Sequence, residues 1–107
     1  MKEKNINIPI ILANTFFKRL KGLSFKKNIS YGMLFKNCKS IHTFFMKENI
    51  DIIAINENNI VIFKKENVSK NKIIIIKNKQ KNTSILELPK NTSKNININD
   101  KLTFECK

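Results

Sequence analysis

Short runs in which apolar and polar residues alternate predict a domain built mainly of β-strands. Residues 32–35 are apolar throughout, as is typical of a short buried strand. Residues 40–47, 51–56 and 60–65 predict three further strands, the last two joined by a tight Glu57-Asn58-Asn59 turn. In sequence order these three strands predict a β-meander.

Further strands are predicted at residues 5–8, 72–77, 83–88 and 101–106. Four consecutive isoleucines in residues 72–77 predict a strand that is covered on both faces. A spacing of about 8 to 12 residues between strands favours two packed antiparallel sheets, a sandwich or barrel, over βαβ units.

One short helix is predicted near residues 15–21. Asn14-Thr15 offers a cap before an apolar stretch, and Gly22 follows where a helix C-terminal residue with positive φ belongs. Because Gly22 and Gly32 are the only glycines, we expect both at positions that a side chain would strain. Asparagine, which tolerates positive φ, is expected at the other turns.

Length and composition predict one domain over residues 1–107. The chain is 41% hydrophobic, and no stretch rich in Pro, Gly or Ser suggests a linker. The apolar run of residues 8–13 is too short for a signal-peptide core or a membrane span. We therefore expect a cytoplasmic protein without membrane contact, with Cys38 and Cys106 as free thiols.

The chain carries a formal net charge of +13 and has a pI near 10. Such a charge is compatible with nucleic-acid binding. The lysines, however, are scattered through every segment, and Arg19 is the only arginine. This distribution favours a solvated lysine surface, and nucleic acid stays a less favoured partner.

Five stretches in order carry a family resemblance. They are Arg19-Leu20-Lys21-Gly22-Leu23, Gly32-Met33-Leu34-Phe35, Ile41-His42-Thr43-Phe44-Phe45-Met46, Ile50-Asp51-Ile52-Ile53 and Leu86-Glu87-Leu88-Pro89. Together they resemble the family called domain of unknown function 192, over about residues 6–105. The resemblance implies a compact, mainly β fold of two packed antiparallel sheets with a short helix. It implies no activity.

Four residues are candidates for a site: Arg19, His42, Asp51 and Glu87. Asp51 opens an apolar strand and needs a partner, for which Arg19 is the obvious choice. Glu87 alternates with leucines, and His42 is the only histidine. An ion pair of Arg19 with Asp51 or Glu87 would be structural, whereas all four residues around one cleft would form a ligand site.

Cys38, His42 and Met46 are spaced four apart and have the chemistry of soft metal ligands. On a strand, residues four apart lie about 13 Å apart, too far to converge on one ion. We therefore expect neither a metal nor a cofactor. Met46 is expected in the core, and Cys38 is expected to be buried as a small apolar residue.

The leading hypothesis is a non-enzymatic binding or accessory module with a shallow polar pocket for a small ligand or a protein. The first alternative is a small hydrolase, which needs Asp51, Glu87 and His42 within about 10 Å in one concave site. The second is nucleic-acid binding, which needs lysines grouped on one face.

Overall fold

The computed structural model describes residues 2–15, 22–23, 27–78 and 82–106. Every regular secondary-structure element in these residues is a β-strand. The strands are β1 (Glu3–Asn5), β2 (Ile10–Leu12), β3 (Gly32–Phe35), β4 (Ser40–His42), β5 (Ile50–Ile55), β6 (Val61–Val68), β7 (Ile73–Ile75), β8 (Ser84–Pro89) and β9 (Lys101–Thr103). The predicted β class is confirmed. A helix is predicted near residues 15–21, and residues 16–21 of this range lie outside the described part of the chain.

A five-stranded sheet in the order β2-β3-β8-β5-β6 forms the centre of the domain. Strands β5 and β8 lie inside it, and every residue of β5 is buried. Such burial explains the near-continuous apolar run of β5, because a strand covered on both faces needs no polar alternation.

Side chains from the two faces of this sheet enter two separate apolar cores. One core contains Ile52 and Ile85, and the other contains Ile53 and Leu86. Neighbouring residues of one strand thus serve opposite cores, as the two-residue period of a strand requires. This alternation determines where the candidate site residues point.

Two strand pairs differ from the predicted antiparallel arrangement. β2 pairs with β3 in parallel, and so does β1 with β9. A parallel pair needs a long connection between its strands. The chain supplies one in residues 13–31 and another in the whole length between β1 and β9.

The predicted meander is wrong at its first strand, because β4 pairs with β7 and not with β5. The strand ends at His42 and a turn follows at Phe44 and Phe45. The expectation of two covered faces at the isoleucine run is also wrong: Ile74 is buried, whereas Ile73 and Ile75 are 64% and 59% exposed. The β4–β7 sheet covers the core with its inner face only. The β5–β6 hairpin is confirmed.

Asparagines occupy nearly all described positions with positive φ, as predicted. They are Asn28, Asn37, Asn59, Asn67, Asn71, Asn82, Asn91 and Asn99. Gly22 also has positive φ, at 52°. The exception is Phe45, whose φ of 62° places a bulky side chain in a region that disfavours it.

Gly32 is required for close packing. A Cβ atom there would lie 2.7 Å from Leu88 Cδ2 and 2.8 Å from Ile10 Cδ1. We predict that Gly32→Ala lowers the free energy of unfolding by about 1–3 kcal/mol through this overpacking. Urea denaturation measures the change, and Ser40→Ala at an exposed strand position is the control, with an expected effect below about 0.5 kcal/mol. A variant as stable as the wild type would contradict the tight packing.

Candidate functional site

Asp51 is fully buried and holds two separate backbone segments. Its Oδ1 accepts a hydrogen bond from the Asn67 amide at 2.9 Å. Its Oδ2 accepts two from Ser93, from the amide at 3.0 Å and from the hydroxyl at 2.7 Å. Ile50 pairs with Val68 and Ile52 pairs with Lys65, so β6 has one more residue than β5 between these two pairs and forms a β-bulge. The hydrogen bond from Asn67 to the Asp51 carboxylate holds this bulge in place.

Glu87 is buried in the opposite core and has a different task. It lies between Met33 and Ile52 on the neighbouring strands, and its Oε1 accepts a hydrogen bond from the Leu23 amide at 3.0 Å. A Cβ atom on Gly22 would lie 2.6 Å from Oε1, so only glycine fits over this carboxyl group. Burial raises the pKa of Glu87 to about 8, although the Leu23 hydrogen bond opposes the shift.

The two carboxyl groups point to opposite faces of the five-stranded sheet. Glu87 is paired with Ile52, and Asp51 with Leu88, which belongs to the other core. The single concave site that a paired-carboxylate hydrolase needs is therefore not formed by these two residues. Arg19 lies outside the described residues, and its ion pair with Asp51 or Glu87 stays a prediction.

His42 lies at the end of β4, which belongs to the two-stranded β4–β7 sheet and not to the five-stranded sheet that carries these carboxyl groups. Its Nδ1 accepts a hydrogen bond from the Phe44 amide at 3.2 Å, and its ring stacks on Phe44 with 4.9 Å between the ring centres. Its cross-strand neighbour is Ile73. The surroundings of His42 are therefore those of a partly exposed apolar surface.

Exposed apolar side chains surround His42 on the outer side of the β4–β7 sheet. Ile73 and Ile75 point to the face opposite the buried Ile74, and Phe44 and Phe45 follow in the adjoining turn. We call His42, Phe44, Phe45, Ile73 and Ile75 the apolar face. Contiguous exposed apolar surface of this kind is typical of interaction sites.

Thr43 joins this face to the next loop. Its hydroxyl donates to the Ser69 carbonyl at 2.7 Å and accepts from the Lys72 amide at 2.8 Å. Its own amide donates to the Lys72 carbonyl at 2.9 Å, and its carbonyl accepts from the Asn71 amide at 3.2 Å. This fully buried residue holds residues 69–72 against the end of β4.

An open groove of about 510 Å³ is lined in part by Met46 and Lys47, which follow Phe45 of the apolar face along the chain. Its charged lining contains three lysines, Lys27, Lys47 and Lys70, and one carboxylate, Glu48. Met46, Asn49 and Ser69 complete it. We call it the lysine groove, and its excess of positive charge suits an anionic group.

The sequence hypotheses named His42 but missed Thr43, Phe45 and the three groove lysines. A signal existed at Phe44-Phe45-Met46, because three large apolar residues in succession do not suit a strand with one covered face. The lysines gave no signal, since lysine is frequent in every segment.

Cys38 and Met46, which have the chemistry of soft metal ligands, lie against an apolar core. Met46 is buried in one core, as predicted, and Cys38 is partly exposed and packs against that core. The Cys38 thiol donates to the Ser40 carbonyl at 3.0 Å. Across the described ranges, no three His, Cys, Asp or Glu side chains are grouped as a metal would need.

Fold and surface together define a small β-domain with structural carboxyl groups and an exposed apolar and basic surface. The chain belongs to the family of domain of unknown function 192, described as "Uncharacterized ACR", which matches residues 1–104. The resemblance predicted from the five sequence stretches is thereby confirmed. The description of this family specifies no activity.

Archaeal relatives match part of the chain. A UPF0127 protein of Thermococcus sibiricus is 37% identical over 57 residues, which cover 48% of this chain and 37% of the relative. A UPF0127 protein of Pyrococcus furiosus is 37% identical over 67 residues, 57% of each chain. The matches thus span well under two thirds of the length of these relatives.

Two crystal structures share the fold. A protein of unknown function from Novosphingobium aromaticivorans superposes with a TM-score of 0.71 at 20% identity, covering 84% of this chain and 70% of that one. A protein of Sinorhizobium meliloti, described as a candidate transcription regulator, gives a TM-score of 0.67 at 21% identity, with 83% and 74% covered. At such identities the likeness concerns the fold alone.

We predict that Asp51→Ala lowers the free energy of unfolding by about 3–5 kcal/mol, because it leaves the donors of Asn67 and Ser93 without an acceptor. Denaturant titration measures the loss. Glu3→Ala, at an exposed position of β1, serves as the control and is expected to change stability by less than about 0.5 kcal/mol. Equal effects of the two substitutions would show that Asp51 is not a structural anchor.

We predict that Glu87→Gln flattens the pH dependence of stability. Between about pH 5 and 8 the folded protein keeps the Glu87 proton while the unfolded chain releases it, so wild-type stability falls as pH rises. The slope from this residue approaches about 1.4 kcal/mol per pH unit. Urea titrations at several pH values measure it, with Glu3→Gln as an exposed control. A wild-type slope retained in Glu87→Gln would refute the assignment.

Proposed function

We propose that this domain is a non-enzymatic binding module whose ligand site is the lysine groove. One observation carries the proposal: both candidate catalytic carboxyl groups are buried and hydrogen-bonded to backbone, whereas the groove is open and lined by three lysines. We therefore assign the shallow polar pocket, expected from the sequence near Arg19, His42, Asp51 and Glu87, to this groove instead.

The ligand of this site carries negative charge. Lys27, Lys47 and Lys70 outnumber Glu48 in the lining, and the net charge of +13 adds a long-range attraction for anions. Asn49 and Ser69 offer polar side chains that add hydrogen bonds to carboxylate or phosphate oxygens. None of these groups is an activated nucleophile, which favours binding over catalysis.

We further propose that the module works in the cytoplasm. The free thiols of Cys38 and Cys106 support a reducing compartment. In the described residues, no helix is long and apolar enough to cross a membrane.

We predict that the double substitution Lys47→Glu, Lys70→Glu weakens binding of an anionic peptide at least tenfold more than a charge-matched control. The probe is a fluorescein-labelled 12-residue peptide of alternating glutamate and serine, and fluorescence anisotropy gives its Kd. The control is Lys94→Glu, Lys101→Glu, which alters two exposed lysines outside the groove by the same total charge.

Wild-type affinity should also fall as salt is raised, because exposed charges are screened. If the groove variant and the control bind the peptide equally, attraction comes from overall charge and the groove is not the site.

A further inference from the structure

Phe45 is held in a conformation that costs stability. Among the described residues with positive φ, it is the one that is neither asparagine nor glycine. Its side chain is 66% exposed, so burial of the ring offsets little of that cost. A strained aromatic side chain that is mostly exposed identifies this turn as a candidate for binding.

The other members of the apolar face increase this cost. Ile73 and Ile75 are mostly exposed, although polar residues with the same strand propensity would suit the outer face of a two-stranded sheet better. Aromatic and aliphatic side chains that lose their contact with water when a complex forms are typical of the centre of protein interfaces.

The apolar face and the lysine groove are linked at two points. Phe45 is followed directly by Met46 and Lys47 in the groove wall. The hydrogen bonds of Thr43 hold Ser69, on the other wall, to the end of β4. The turn of Phe44 and Phe45 is therefore next to a ligand bound in the groove.

Charge and side-chain type select the partner of this surface. A second copy of this chain would bring another +13 to a surface already lined by lysines, which opposes self-association. A nucleic-acid strand would use lysines and exposed aromatic rings, but it gains little from Ile73 and Ile75, which offer no flat ring for stacking. An acidic polypeptide with apolar side chains matches both halves.

We infer that the apolar face and the lysine groove together bind a polypeptide segment of another protein in which acidic residues alternate with apolar ones. This inference rests on the proposed function, because the acidic residues occupy the lysine groove. The apolar residues pack on Phe45, Ile73 and Ile75, and complementary charge sets the register of the segment.

The test compares two labelled 12-residue peptides of equal charge, one alternating glutamate with leucine and one alternating glutamate with serine. Wild-type protein should bind the leucine peptide at least tenfold more tightly. Ile73→Thr, Ile75→Thr keeps β-branched residues in the strand and should remove that advantage. Ile98→Thr, at an isoleucine that is 49% exposed elsewhere, is the matched control and should retain it.

Phe45→Asn provides a second variant that separates binding from folding. Asparagine suits the positive φ of this turn, so the melting temperature should stay equal or rise by a few degrees. The preference for the leucine peptide should nevertheless fall several-fold. A loss of binding with unchanged or higher stability cannot be ascribed to misfolding.

The outcomes separate the inference from the proposed function. If both peptides bind equally and the groove variant weakens both, the groove binds anions but the inference is wrong. If the groove variant leaves both affinities unchanged, the proposed function fails, and with it the acidic half of the inference.

Tighter binding of a 12-residue oligothymidylate, or of phosphatidylglycerol vesicles, would overturn the inference in favour of nucleic acid or lipid. A dimer in sedimentation that the isoleucine variant dissociates would overturn it in favour of a second copy.

Discussion

Burial of two carboxyl groups on opposite sides of one sheet is the constraint on which this structure depends. Asp51 secures the β6 bulge and the segment at Ser93, and Glu87 secures the segment at Gly22 and Leu23. Both groups are almost completely buried. Each carboxyl group accepts hydrogen bonds from backbone amides, Asp51 from Asn67 and Ser93 and Glu87 from Leu23.

Because both carboxyl groups are buried in the sheet, ligand recognition is expected at the β4–β7 edge of the domain. The β4–β7 sheet contributes its inner face to the core, whereas Ile73 and Ile75 on its outer face, and Phe44 and Phe45 in the adjoining turn, are exposed. Phe45 adds backbone strain to that exposure.

Sequence patterns predicted what depends on local residue preferences. The β class, strand β3, the β5–β6 hairpin and the asparagine turns followed from alternation and from the tolerance of asparagine for positive φ. The pairing of distant strands could not be predicted, because no local residue pattern indicates that β4 pairs with β7. The sequence therefore predicts one pocket around Arg19, His42, Asp51 and Glu87, although the strand register directs Asp51 and Glu87 to opposite faces of the sheet.

Ligands of this domain are expected to bind at the β4–β7 end and not at its buried carboxyl groups. Amide chemical shifts of the ¹⁵N-labelled protein, recorded during titration with the peptide of alternating glutamate and leucine, test it residue by residue. The largest changes are expected in residues 42–49 and 69–75. Largest changes at Gly22, Leu23, Asn67 and Ser93, the backbone partners and neighbours of Asp51 and Glu87, would contradict it.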